Sequence, residues 1–537
     1  MRKYFLFYFL LMLISVHVQI LAANDDSLRG TITRERAWWD TKFYSIQVKP
    51  DFENQSITGV CRIKYNIIKK PTQYMQIDLQ SPMHLDSVFL KGSKLKFFKH
   101  SKSVFFIEYP NKGENLKSEI ELFFSGKPKE AKYAPWDGGW VWKKDMKGRP
   151  WVSVACQGLG ASVWLPCKDH QSDEPENGME LELILPPKMM GVANGNLILD
   201  TLEGANRIVK WKVENPINLY NIVPSFGYYE SFETDYEGLN GNLYCSYWVI
   251  DENIEQAKQH FQVTDSMLTC FEHWFGPYPF YEDGYKLVET PFLGMEHQSN
   301  IAYGNNYQLG YKGRDLSLSG WGLKWDFIVI HESGHEWFGN SITSYDIADM
   351  WIHEAFTNYS EVLYVDCQYG TQAGNEYAIG LRHNIKNDKP IIGPYGVNQE
   401  GSGDMYYKGS NMIHIIRQLI NDDGKFRLLL IELNKTFYHK IVTTQEIEEF
   451  ISAYTKLDLS KVFDQYLRTV DVPKFDTYIK DNKYYYRWQN CVSNFDMPIR
   501  LLSKDLLHPT TEFQSIDIPV NFEVELLKPD PNFYIQF

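Results

Sequence analysis

The sequence predicts a multidomain α+β protein: an N-terminal antiparallel β domain, then an α-rich domain, then a small C-terminal β-sandwich. Three observations carry this. From about Trp38 to Tyr229, short alternating runs are broken by Gly, Pro, Asn and Asp. From about residue 240, apolar residues recur at helical spacing. After Thr469 the alternation returns. A chain of 537 residues is too long for one ordinary core, and 44% hydrophobic with 23% charged residues is a globular balance. A net charge of −14 with no basic stretch argues against a nucleic-acid partner.

The first element, residues 1–23, reads as a signal peptide. Arg2 and Lys3 precede an apolar run, and Ala22-Ala23 offer a small-residue cleavage site. No later stretch approaches membrane-spanning length, so a soluble, exported protein without stable membrane insertion is expected, periplasmic or extracellular. Residues 24–235 form the β domain, with runs such as "FYSIQVKP", "MELELILPP" and "RIVKWKVEN". Residues 236–470 follow as the α-rich domain. There Ile254, Ala257, Phe261, Met267, Phe271 and Trp274 share one face of a helix that stops at Gly276-Pro277. Further helices are read in "WDFIVIHESGHEWFG", "ADMWIHEAFTNYSEVLYVDCQYG", "YKGSNMIHIIRQLIND", "TTQEIEEFISAYTK" and "DLSKVFDQYLRT". Thr443 and Glu446 have capping-box spacing. Residues 471–537 return to strands. Seven cysteines are too few for a disulfide scaffold. Cys156 and Cys167 flank a turn and could pair, although buried free thiols are the expected state. Asn54, Asn358 and Asn434 match glycosylation acceptors.

Chemistry concentrates at "HESGHEWFGN". On a helix His331 and His335 lie on one face and present two imidazole nitrogens to one ion, with Glu332 beside them. Chance produces this pattern in on the order of one or two chains per hundred of this length, so a third ligand decides. Eighteen residues separate His335 from Glu354, a spacing that lets a second helix return to the first. His₂Glu suits one Zn²⁺ with an open position. Glu361, two turns beyond Glu354, could orient a ligand histidine.

This arrangement resembles the gluzincin zinc aminopeptidases of aminopeptidase N and leukotriene hydrolase type. The resemblance implies a saddle-like β domain and a thermolysin-like catalytic domain. "FLGMEHQSN" is similar to the family's G-A-M-E-N segment, implying that Glu296 binds a free α-amine while Gly294 and Met295 pair with the peptide backbone. Leu293 and His297 depart from that pattern. "MYYKGSNMIH" resembles the Y-x-K-G segment, making Tyr406 the donor to a developing oxyanion. "ACQGLGASVWLPCKDHQSDEP" resembles the segment ending in P-C-x-D, placing Gln157 at the amine pocket. Longer family members carry a large C-terminal helical domain, and only a small β domain fits after Thr469.

The expected function is therefore a secreted zinc metalloaminopeptidase, cutting the N-terminal bond of peptides by zinc-activated water with Glu332 as general base. The alternatives are a zinc endopeptidase of thermolysin type and an inactive peptide-binding relative. The pattern leaves the preferred first residue and the oligomeric state open.

Overall fold

The computed structural model describes residues 25–110 and 117–537. The signal-like stretch at 1–23 lies outside them. A short helix, α1 (Asp25–Gly30), precedes the β-rich part. Its large sheet contains, in chain order, β1 (Trp39–Asp51), β2 (Ser56–Ile67), β3 (His84–Leu90), β4 (Ser93–Lys94), β5 (Lys117–Gly126), β6 (Met179–Leu185), β7 (Asn196–Glu203) and β8 (Asn206–Val213). Side by side they run β7-β8-β6-β1-β2-β5-β3-β4. Neighbours are antiparallel with one exception: β6 runs parallel to β1, with Tyr44 opposite Met179. Local alternation cannot reveal that pairing, because it depends on how the long connection from β5 to β6 returns.

In β6 the alternation is real. Met179, Leu181, Leu183 and Leu185 face the core and the intervening residues are less buried. A second, four-stranded sheet (residues 139–144, 150–155, 190–192 and 225–227) packs into the same core, which contains Trp140, Trp164 and Trp211.

The middle of the chain begins with β9 (Tyr229–Gly238) and β10 (Gly241–Ile250). With β11 (Tyr285–Glu289), β12 (Gly294–Met295) and β13 (Ile301–Tyr303) they form a mixed sheet in the order β9-β10-β11-β13-β12. The helix expected over residues 254–274 is two helices, α2 (Ile254–His260) and α3 (Val263–Phe275). Phe261 ends α2 and turns inward against Tyr247 and Tyr303, which interrupts the shared face. The remaining helices are α4 (Phe327–Gly334), α5 (Trp351–Tyr369), α6 (Thr371–Leu381), α7 (Tyr407–Ile420), α8 (Asp423–Thr436), α9 (Thr444–Thr455) and α10 (Ser460–Arg468). The Thr443/Glu446 capping box is formed in both directions.

The end of the chain forms β14 (Lys474–Lys480), β15 (Lys483–Gln489) and β16 (Gln514–Asp517) as one sheet, with a two-stranded sheet beside it. Phe475, Tyr484, Trp488 and Phe495 join the core of the helical part. No helix among the described residues is long and apolar enough to cross a membrane.

Cys156 and Cys167 are free and buried, while Cys270 of α3 is bonded to Cys367 of α5. Neighbouring helices set that pair, and a separation of 97 residues hides it in the sequence. Asn358 and Asn434 are buried, which removes them as glycosylation acceptors, whereas Asn54 is exposed in the turn between β1 and β2.

Candidate metal centre

All eight residues of α4 are buried, and so is α5 from Trp351 to Val365. Helices submerged on every side should be apolar, yet these carry His331, Glu332, His353, Glu354, Asn358 and Glu361. Burial on that scale requires partners for each polar group. Asp326 caps α4, accepting from the backbone N–H groups of Ile328 and Val329. The helix proper ends at Gly334. His335 follows in right-handed helical conformation, so the four-residue spacing still puts both imidazoles on one face.

The outer nitrogens of the two histidines are occupied. His331 Nδ1 is 2.7 Å from Glu361 Oε1, and His335 Nδ1 is 3.0 Å from the Phe338 carbonyl and 3.1 Å from Thr357 Oγ1. With Nδ1–H donating, each Nε2 keeps its lone pair for the interior. Glu354 Oε2 lies 3.8 Å from His331 Nε2 and 3.4 Å from His335 Nε2, and it is buried with no hydrogen-bond partner. Tetrahedral bonds of about 2.0–2.1 Å place ligand atoms roughly 3.3 Å apart, so this orphaned triad fits a zinc ion. Glu361 is itself held by Tyr377 (2.7 Å) and Asn358 (2.8 Å).

The electrostatics have one sense. Burial alone would lower the pKa values of both histidines, but Glu361 raises that of His331, and Glu354 with Glu296 raises that of His335. Burial would raise that of Glu354, and His335 with His331 holds it below the ordinary carboxylate value. The cluster demands positive charge, which protons or one divalent cation can supply. Burial pushes Glu332 up to about 7, with the two histidines opposing. A carboxylate poised there exchanges a proton readily near neutral pH.

Glu296 follows the edge strand β12 and is 2% exposed. Gln157 Nε2 and Tyr220 Oη donate to its Oε1, the latter at 3.1 Å, and Gln157 also reaches Glu354 Oε1 at 3.3 Å. Asn340 fixes its backbone, donating to the Glu296 carbonyl at 2.9 Å. A Cβ on Gly294 would sit 2.7 Å from Ile328 and 2.9 Å from Glu332, so only glycine lets β12 pass this close to α4. Tyr406, just before α7, lies beside the His331 ring, and burial with Glu354 nearby keeps its phenol protonated. Leu293 lines the same space. His297 points elsewhere: it is buried, its Nε2 has no partner, and burial lowers it to about 3.

Every residue given a metal, catalytic or substrate role from the sequence borders one cavity of about 410 Å³, open to solvent, except Glu361, which stands directly behind His331. Sequence reasoning missed Tyr220, Thr357, Tyr377 and Glu400. Tyr220 sits in a single 3-10 turn (Leu219–Asn221), too short to show a pattern in sequence. Glu400 could have drawn notice only as an acidic residue six positions before Tyr406.

A buried His₂Glu triad on two adjacent helices, with a further carboxylate beyond it, defines the gluzincin class. Residues 259–466 match the peptidase family M1 domain. Among curated proteins the chain is 23% identical to the leukotriene A-4 hydrolase of Xenopus laevis, covering 59% of this chain and 52% of that protein. It is 22% identical to probable aminopeptidase 2 of Sulfurisphaera tokodaii, covering 70% and 48%. The chain thus spans about half the length of the curated relatives it matches. Among solved structures, a Deinococcus radiodurans M1 zinc metallopeptidase variant bound to a Tyr-Ser-Ala substrate superposes with a TM-score of 0.65 at 18% identity, covering 81% and 95%. Yeast LTA4 hydrolase superposes with a TM-score of 0.65 at 17% identity, covering 79% and 68%. Residues 259–466 thus carry the peptidase family M1 match, and the relatives and solved structures named here are similar to the chain in line with a gluzincin aminopeptidase.

Proposed function

We propose that this protein is an exported zinc metalloaminopeptidase that removes the first residue of peptides with a free N-terminus. The observation that carries the reading is the position of Glu296, a buried carboxylate joined through Gln157 to Glu354 of the triad. A peptide ammonium leaving water needs a paired carboxylate, and Glu296 provides it with an oxygen within 4.8 Å of a His335 ring nitrogen. An endopeptidase must let its substrate run past this point, and a carboxylate there serves no purpose for it.

His331, His335 and Glu354 would hold the zinc. When bound, the ion supplies Lewis acidity that makes water more acidic and polarises the scissile carbonyl. Glu332 takes the proton of the attacking water on its carboxylate and returns it to the leaving amine. Tyr406 donates its phenolic hydrogen to the oxyanion that develops on the carbonyl. Gln157 and Tyr220 orient Glu296 so that the amine is received in one place. β12 has a free edge on the cavity, where Gly294 and Met295 can pair with the substrate backbone. Export is supported by the signal-like start and by the Cys270–Cys367 bond, which suits an oxidising compartment.

The test compares a peptide with its N-acetylated form, with and without a chelator, in native protein and Glu296→Ala. Cleavage of the free-amine peptide alone, abolished by the chelator and weakened in Glu296→Ala, is expected. Equal rates on both peptides would make the protein an endopeptidase. No cleavage by zinc-loaded protein across a panel of free-amine peptides would make it an inactive binder.

A further inference from the structure

Glu400 lies in the loop before Tyr406 and borders the cavity with Gln157, Glu296, Glu354 and Tyr406. It is half-buried, and its carboxylate has no hydrogen bond or ion pair among the described residues. Lys389 acts on it only from a distance, while Glu354 and Glu296 repel it. The other carboxylates around the cavity have occupations: Glu354 faces the histidines, Glu332 serves proton transfer, and Glu296 is held by Gln157 and Tyr220 to receive the amine. Glu400 alone has no counterpart.

The loop that presents it is fixed to the β-rich part. Asn398 Nδ2 donates to the Gly158 carbonyl at 2.8 Å, and Asn398 N–H donates to the Asp26 carbonyl of α1 at 3.3 Å. Gly158 leaves room for the carboxylate, since a Cβ there would sit 3.2 Å from Glu400 Oε1. A half-buried carboxylate with no partner, beside two other carboxylates, favours a cation that comes to it. Met295, Met405 and Trp136 offer apolar wall along the same cavity, suited to a methylene stem ending in a charge.

We infer that Glu400 is the specificity-determining residue for the first side chain and selects substrates that begin with lysine or arginine. The inference rests on the aminopeptidase reading above, in which Glu296 takes the α-ammonium and Glu400 takes the second positive charge. A charge-assisted hydrogen bond in a partly desolvated site corresponds to a preference of about tenfold to a hundredfold.

The test uses lysyl and norleucyl naphthylamides, whose side chains share the stem and differ by the ammonium. Native protein is expected to favour the lysyl substrate in kcat/KM by about tenfold to a hundredfold, and Glu400→Gln to bring the ratio close to one. Glu400→Asp keeps the charge one methylene further back, and should shift the preference from lysyl toward the longer arginyl substrate. Calorimetric binding of free L-lysine and L-norleucine should show the same ordering without turnover. A native ratio of one or less, or a ratio unchanged in Glu400→Gln, overturns the inference while cleavage of both substrates leaves the aminopeptidase reading standing. Failure to cleave any free-amine substrate overturns both.

Discussion

The two sides of the cavity are built differently. The metal side comes from one stretch, residues 331–361, in which two buried helices bring His331, His335, Glu354 and Glu361 together. The amine side is collected from Gln157, Tyr220, Glu296 and Asn340, which meet across the junction of the β-rich and helical parts. A metal ion tolerates little error in ligand position, and helical geometry fixes positions within a single segment. An ammonium is less demanding, and residues held only by the packing of distant segments suffice for it.

This contrast can be broken or sharpened by substitution. Glu332→Gln should lower kcat by about 10²–10⁴ with zinc content unchanged by atomic absorption. Loss of the metal along with activity would show that the glutamate holds the ion. Tyr406→Phe should cost about 10²–10³ in kcat with little change in KM, read by steady-state kinetics. A larger effect on KM would move Tyr406 to the amine side. Glu361→Gln leaves the His331 Nδ1–H with a weaker acceptor and should reduce zinc affinity by about 10–100-fold, measured by competition with a chelating dye. Tyr220→Phe removes one donor to Glu296 and should raise KM about tenfold for free-amine peptides. If Tyr220→Phe also released zinc, the two sides would not be separable.

The same contrast explains what could be read from the chain. The triad was legible because spacing on a helix is spacing in space, and Glu354 needed only one reversal of direction. Glu361 was legible for the same reason, standing two turns from Glu354. Gln157 and Glu296 were found through resemblance to a family pattern, since nothing in their own neighbourhoods announces a shared site. Tyr220 escaped because Glu296 lies 76 residues away and its own 3-10 turn is three residues long, and Glu400 because it stands in irregular loop. In the fold, alternation located the strands but not the parallel partner of β1. The helix over residues 254–274 looked continuous because periodicity ignores the inward turn of Phe261. Paired cysteines 97 residues apart carry no local signal at all.

The Cys270–Cys367 bond has a topological consequence. It closes a covalent ring over residues 270–367, and Glu296, His331, Glu332, His335, Glu354 and Glu361 all lie inside that ring. A chain pulled from its two ends transmits tension through the sulfur atoms and bypasses the enclosed segment. Gln157, Tyr220, Glu400 and Tyr406 lie outside, so stretching would strip them away while the zinc ligands remained on a slack loop. Single-molecule pulling should therefore release the contour of the enclosed segment only after a reductant opens the ring, and neither terminus can tug directly on the metal side until then.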